Sequence, residues 1–350
     1  MTIQKKPVFH QGGGKKKLTI RDIAKIAGTS HMTVSRVLND DSKVRPSTRD
    51  HVLSVIRAYN FVPNPKARAL SSNKSKLIGL LVSDISNPFY AELARGIEDK
   101  AREYGYNIMF CSEVTGKKKE NLNFLLKAGI DGLVFASAKF NDSHINRLIK
   151  EGFPTVLVNR KLKGKNFNHV VCDNRKGARM LMSHLFSLGY EKIAIISGPS
   201  NLSTGVERLE GYYSSYAEKG IEINEDYIFK GSFDKDTGYS GTHSFINLRE
   251  RPQAIFAGND YIAMGVLDAL DEAGLRVPED MAVVGFDNTS FAAHSRIKLT
   301  TISQRTYEMG ENGVNILIDL IEQKKTDQQH VVLEPKLIIR ESCGQKLKNN

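Results

Sequence analysis

From residue 77 onward the chain repeats one unit: a short apolar run, then a stretch with helical periodicity, then another run. The runs are LIGLLVSD (77–84), NIMFCSE (107–113), DGLVFAS (131–137), PTVLVN (154–159) and HVVCDN (169–174). After RKGARMLMSHLFSLGY the rhythm resumes with KIAIISG (192–198), IFKGSF (228–233), QAIFAGND (253–260) and MAVVGFD (281–287). FYAELARGIEDKAREYG and KENLNFLLKAG read as helices between the earlier runs. Strands that are apolar throughout are buried on both faces, and strands joined by helices lie parallel. Eight or more such units exceed one comfortable sheet. The expected fold class is therefore α/β, a body with parallel sheets in two lobes with crossovers between them, spanning residues 77–342.

The first fifth of the chain is different. The net charge of +11 is not spread evenly: residues 1–76 hold 16 Lys and Arg against four Asp and no Glu. The remaining residues nearly balance, with 34 against 35. A concentrated basic segment points to a polyanion partner, through phosphate neutralisation and counterion release. The three cysteines, Cys111, Cys172 and Cys343, have no C-x-x-C spacing. They read as reduced thiols, without a zinc site or disulfide framework. The N-terminus has no apolar h-region and no segment approaches a membrane span, so a cytoplasmic protein is expected.

Residues 1–17, with GGGKKK at 12–17, read as a basic flexible arm. The next segment, 18–62, carries the pattern of a folded, all-α headpiece. Thr19 and Asp22 form an S/T-x-x-D helix start, and Ile20, Ile23, Ala24 and Ala27 make one apolar face. Gly28-Thr29 stops that helix. Ser30 caps a second, with Val34, Val37 and Leu38 as its buried stripe and His31, Met32, Ser35 and Arg36 turned away from it. Ser47 and Asp50 predict the start of a third helix carrying Val52, Leu53, Ile56 and Tyr59. Three short helices with a glycine turn between the first two describe a helix-turn-helix, whose second helix enters a major groove. Taken singly, His31 is an ordinary surface histidine and Arg36 an ion-pair partner. Their shared face, in a segment poor in carboxylates, favours nucleic acid.

Residues 63–76 read as a hinge helix or linker. Asn64-Pro65 signals a helix start, but KARAL offers only one or two turns, too few for stability in isolation. Leu70 reads either as a wedge for a minor groove or as one buried residue of a plain linker. In the body, ligands of parallel sheets bind beyond the carboxyl ends of the strands. Polar residues stand there: Ser83, Asp84, Ser137, Asn159, Asn259, Asp260, Asp287 and Asn288, with Phe89, Tyr90 and Phe286 nearby. Such a set suits a sugar or nucleoside in a cleft, although each Asp or Asn alone equally suits a helix cap.

TIRDIAKIAGTSHMTVSRVLN, followed by VRPSTRDHVLSVIRAYNFVPNPKARAL, resembles the N-terminal region of the LacI/GalR family of bacterial transcription regulators. The resemblance continues through LIGLLVSDISNPFYAELARGIE, AGNDYIAMGVLDALDEAGLRVPEDMAVVGFDNT and LTTISQ to about residue 342. It implies a periplasmic-binding-protein-like body and a homodimer that binds near-palindromic operator DNA. Thr19, Ser30, Thr33 and Asn39 would contact the DNA backbone or frame the headpiece, and His31, Met32, Ser35 and Arg36 would face the bases. Leu70 would intercalate in the minor groove, with Asn64 and Ala67 beside it. For the effector, it implies Ser83, Phe89, Tyr90, Asn159, Arg208, Asn259, Asp287 and Gln304, with Asp84 adjacent. Gly129 stands where some sugar-responsive members carry an arginine, so a lactose-like binding mode is not assumed. The effector class implied is a sugar, sugar phosphate or nucleoside-like molecule, with no metal and no cofactor. SNPFYAELARGIED also resembles the family's carbon-catabolite regulators, some of which respond to a phosphorylated carrier protein on the outer surface of the N-lobe.

Enzyme readings fare worse. DTG at 236–238 has no second copy, and no G-x-S-x-G, G-x-G-x-x-G or Walker A stretch is present. The nine histidines lack ligand spacing. A solute-binding protein for sugar uptake would account for residues 77–342 and leave the basic headpiece without a purpose. Residues 343–350 read as a short tail without heptads, which predicts a dimer and not a coiled-coil tetramer.

Overall fold

The computed structural model describes residues 18–38, 41–62, 74–113, 116–164, 167–324 and 327–345, in two units that divide between Ser75 and Lys76. In the first unit, α1 (Ile20–Ile26) opens on a reciprocal capping box. The Asp22 amide donates to Thr19 Oγ1, and the Thr19 amide donates to Asp22 at 2.9 Å. Gly28, at φ +60, makes the left-handed turn that ends it. In front of α2 (His31–Leu38), Ser30 Oγ accepts from the Thr33 amide at 3.1 Å. The third helix, α3 (Pro46–Ala58), departs from the sequence expectation. Pro46 holds its first position behind Arg45, which supplies no side-chain cap, so Ser47 lies inside the first turn. Proline suits that place because its missing N–H has no helical partner there and its φ is already helical. Helices this short are marginal alone. They are held by one core of Ile23, Ala24, Ala27, Val34, Val37, Val52 and Phe61.

The second unit contains the strands β1 (Leu77–Val82), β2 (Asn107–Ser112), β3 (Gly132–Phe135), β4 (Thr155–Val158), β5 (Asn168–Cys172) and β6 (Ile193–Ser197). They are followed by β7 (Ile228–Lys230), β8 (Ala254–Ala257), β9 (Ala282–Val284), β10 (Thr301–Ser303), β11 (His330–Leu333) and β12 (Lys336–Ile338). The N-lobe sheet runs in the order β11-β5-β4-β3-β1-β2 and the C-lobe sheet in the order β7-β6-β8-β9, both parallel. A small antiparallel pair, β10 with β12, completes the set. These last three strands are not among the apolar runs of the sequence: β10 and β12 have three residues each, and β11 alternates in burial. The chain crosses between the lobes three times, after β5, after β10 and after β11.

Each lobe has its own packing. The N-lobe core joins Leu80, Val134 and Val156 of the sheet to Leu93 and Ile97 of the Pro88–Glu103 helix and Leu317 of the Thr306–Ile321 helix. The C-lobe core gathers Ile193, Ile195, Phe256 and Val284 with Leu181 and Tyr212. Cys343, which the sequence places in a tail, is fully buried in that same core, where a free cysteine behaves as a small hydrophobe. The body therefore continues past residue 342. The Lys235–Ile246 and Asp260–Glu272 helices cross backbone to backbone. A Cβ on Gly238 would stand 2.0 Å from the Ile262 carbonyl oxygen. Among the described residues no helix is long and apolar enough to cross a membrane.

Candidate functional site

The first unit presents one polar face on α2. His31, Met32 and Arg36 are exposed, Met32 by 55%, and Thr33 and Ser35 are half-buried. Ser30 and Thr33 are tied to each other through their hydroxyls at 2.9 Å, and the Thr19 side chain is engaged with Asp22. Arg36 is not wholly free: its Nε lies 3.8 Å from Asp41, a pair open to solvent and therefore weak. His51 reaches from α3 to the Ala27 carbonyl at 3.2 Å and pins the end of α1. An exposed helix face with His31 and Met32 at its start and Arg36 in its last turn, braced by two other helices, is a shape that fits a major groove. Asn39, Asn64, Ala67 and Leu70 lie outside the described residues.

In the second unit, a cleft between the lobes is lined by Phe89, Tyr90, Asn159 and Arg160 from the N-lobe side and by Thr204, Arg208, Phe233, Asn259, Asp287 and Gln304 from the other. Local sequence explains the convergence. Each lining segment follows the carboxyl end of a strand, and several leave it with φ > 0: Asn159 at +69, Asp287 at +126 and Asn288 at +58. Non-glycine residues in that region carry strain that commonly marks functional sites. Asn87 accepts from the Phe89 amide at 3.0 Å and Asn259 from the Ile262 amide at 2.7 Å, so both helix-capping and cleft-lining roles are met by one residue.

Arg208 organises the C-lobe wall. Its Nε donates to Asn174 (2.9 Å) and one terminal nitrogen to the Gly258 carbonyl (2.6 Å), while the other stands 3.5 Å from Asp287. The guanidinium lies over the Phe286 ring at 3.8 Å. Gln304 Nε2 donates to Asp287 at 2.5 Å. Burial pushes the Asp287 carboxyl up to about 7, against the pull of Arg208, with a further upward push from Asp260. Asp260 itself turns away from the cleft. It accepts from Thr289 and Thr301 and locks those loops, and burial raises it to about 6.

Ser83 and Asp84 do not line the cleft. Asp84 accepts from the Ser86 amide at 2.8 Å, an ordinary turn. Ser83 acts from behind: its Oγ accepts from Arg160 at 2.9 Å and from the Tyr90 hydroxyl at 3.2 Å. Arg160, Thr204, Asn87 and Phe233 are lining residues that sequence reasoning missed. Arg160 stands one residue beyond the apolar run TVLV, after Asn159, and nothing in the sequence marks it as buried or lacking a carboxylate. Four buried polar atoms facing this space have no partner: Asn159 Oδ1, Arg160 Nε, Thr204 Oγ1 and Gln304 Oε1. Buried polar groups are nearly always satisfied, so a cluster of four is a demand for a polar guest. The space among them is only about 20 Å³, enough for about one water molecule. A ring-sized guest therefore requires the lobes to part.

Across the mouth, three contacts among the described residues fasten the lobes. The Phe140 amide donates to the Asn201 carbonyl (3.0 Å), the Lys161 amide to Ser203 Oγ (2.9 Å), and Lys161 Nζ reaches Glu207 at 2.7 Å. Among the described residues no group of three or more His, Cys, Asp or Glu is arranged to hold a metal ion.

Comparison with known proteins agrees with both units. Residues 19–64 match the family model "Bacterial regulatory proteins, lacI family", and residues 182–343 match "Periplasmic binding protein-like domain". The HTH-type transcriptional regulator RegA of Clostridium saccharobutylicum is 36% identical over 93% of this chain and 98% of its own. Catabolite control protein A of Priestia megaterium is 35% identical over 93% of this chain and 99% of its own. Among solved structures, the lac repressor dimer bound to operator and the anti-inducer ONPF superposes with a TM-score of 0.80 at 26% identity, covering 94% of this chain and 99% of that one. The headpiece, the two-lobed body and relatives aligned along nearly the whole length agree: the chain belongs to the lacI family of bacterial regulatory proteins, DNA-binding regulators of transcription.

Proposed function

We propose that the chain is a repressor of a carbohydrate-utilisation operon whose hold on DNA is set by a small polar effector in the interlobe cleft. The observation that carries this reading is the set of unpartnered buried polar atoms contributed by both lobes, Asn159 and Arg160 on one side and Thr204 and Gln304 on the other. A guest that satisfies both sides at once binds differently to the closed and parted forms, which is the only way a ligand shifts such an equilibrium. In this reading residues 1–17 are a basic arm, 18–62 the headpiece, and 63–76 the connection through which lobe movement reaches α2. His31, Met32, Ser35 and Arg36 read bases, and Leu70 opens the minor groove. The chain acts as a homodimer, because one headpiece offers too few contacts for a specific site, and it acts in the bacterial cytoplasm, without enzymatic activity.

The phosphorylated carrier protein receives less support. On the N-lobe surface Lys100, Arg102 and Arg305 each pair weakly with a neighbouring carboxylate (Glu103, Glu98 and Glu308) and Arg95 lies over the Tyr307 ring, whereas the cleft holds four unpartnered buried polar atoms. Selection from a random duplex DNA pool tests the main reading. The full chain is expected to enrich a near-palindromic site, and a chain starting at Lys76 is expected to enrich nothing. Identical enrichment by both, or none by the full chain, refutes it.

A further inference from the structure

Arg160 sits in the cleft as a buried cation without a counter-ion. The residue is 6% exposed, and its two terminal nitrogens donate to neutral hydroxyls, Ser83 Oγ at 2.9 Å and the Tyr90 hydroxyl at 3.2 Å. Its Nε is buried and unpartnered, and among the described residues no carboxylate comes within ion-pair distance of the guanidinium. Neutral hydroxyls hold a guanidinium in place but do not balance its charge, and an uncompensated buried charge is among the costliest features a fold can keep. The nearby carboxylates do not balance it. Glu207 stands against Lys161 at 2.7 Å and Arg175 at 3.7 Å, and Asp287, 3.5 Å from Arg208 and within the field of Arg160, is itself pushed towards the neutral acid by burial.

A second feature has the same sign. The Ser203–Lys219 helix begins at the cleft behind Leu202, whose side chain offers no cap, whereas the helices behind Asn87 and Asn259 are closed by those side chains. Its partial positive end therefore faces the space unmasked. Beside it, Thr204, 2% exposed, aims an unpartnered hydroxyl into the same space. The remaining orphans, Asn159 Oδ1 and Gln304 Oε1, are acceptors and call for donors.

We propose that the cleft takes a small polyhydroxylated anion, a sugar acid or a sugar phosphate, whose oxyanion pairs with Arg160 while its hydroxyls donate to Asn159 and Gln304. The proposal rests on the cleft being the effector site and adds the charge of the guest. Arg160 then sets specificity: a neutral sugar leaves the guanidinium uncompensated, and the anion of the same sugar does not.

The test uses the full chain and matched triples: glucose, glucuronate and glucose 6-phosphate; galactose, galacturonate and galactose 1-phosphate; ribose, ribonate and ribose 5-phosphate. Binding is measured by calorimetry after a dye-based thermal screen. At least one acid or phosphate is expected to bind about tenfold or more tighter than its neutral parent, the worth of a charge-assisted contact. Whether the acid or the phosphate responds identifies the oxyanion. In Arg160→Gln the preference is expected to vanish, and in Arg160→Lys to survive in part. Ser83→Ala, a smaller change that frees the guanidinium and the Tyr90 hydroxyl from one anchor, is expected to weaken the anion several-fold more than its neutral parent. A neutral sugar that binds as tightly as its acid and phosphate, or a preference that Arg160→Gln leaves intact, overturns the anion proposal and leaves the cleft reading standing. No response to any member of the panel counts against the cleft reading, and the proposal falls with it.

Discussion

Asp287 is the place where burial and ion pairing oppose each other most directly, and Asp287→Asn decides between them. The carboxyl is 5% exposed, 3.5 Å from the Arg208 guanidinium and hydrogen-bonded to Gln304. Burial wins on balance and lifts it to about 7, whereas an unfolded Asp titrates near ~3.9. A carboxyl raised on folding binds more protons folded than unfolded between those two values. Its contribution is therefore fully present below about pH 4 and is lost as pH rises through about 7. About three units at roughly 1.4 kcal/mol each set a ceiling of ~4 kcal/mol. The amide of Asp287→Asn imitates the protonated acid and keeps an acceptor for Gln304. Unfolding of parent and variant is followed in urea and by heat from pH 4 to pH 8, with a dye because the chain has no Trp. The two should nearly coincide at the acid end, and the variant should be the more stable at pH 8. Each kcal/mol moves the thermal midpoint by roughly 2–4 °C in a body of this size. A variant less stable than its parent at pH 8 would falsify the reasoning, because it would mean that the attraction of Arg208 outweighs burial and that the pair is ionised.

Two further outcomes follow from the fold. Glu207→Gln should loosen the closure across the cleft and, because a ring-sized guest needs the lobes apart, tighten effector binding by about three- to tenfold, a charged hydrogen bond discounted for the partial exposure of Lys161. Lys161→Met should have the same effect in calorimetry, and the double variant should add nothing; additive gains would show that the two do not act as a pair. Gly238→Ala should cost about 1–3 kcal/mol or more in urea unfolding, because the new Cβ meets the Ile262 carbonyl oxygen at 2.0 Å. A neutral substitution there would mean that the two helices slide apart freely.

The layout of the body was legible because its central strands are apolar on both faces: TVLV and IAIIS are buried at every position. Strands β10 and β12 were not: TIS is mostly polar and KLI opens on a lysine, whereas β9, equally short, lies inside the apolar run MAVVGFD. The same contrast holds in the cleft. Asn159, Asn259 and Asp287 could be singled out because they end strands, and the resemblance supplied Arg208 and Gln304. Ser83 and Asp84 end a strand too, yet neither lines the cleft: position along the chain does not say whether a side chain points into a space or stands behind it. Arg160 was hidden for the opposite reason. It shares its strand end with Asn159, and only the folded chain shows that the arginine is buried and lacks a carboxylate. In the headpiece the pattern gave the first two helices, and Pro46 moved the start of the third.

The route of the chain through the lobes has a consequence for how the protein comes into being. The sixth strand of the N-lobe sheet, β11, and the Thr306–Ile321 helix in its core are translated only after the whole of the C-lobe sheet. The N-lobe thus waits, with one edge open and its core unfilled, until the ribosome has passed residue 333. The headpiece, complete by residue 62, waits for nothing. During synthesis a finished basic headpiece precedes any finished cleft, and no single proteolytic cut releases either lobe intact.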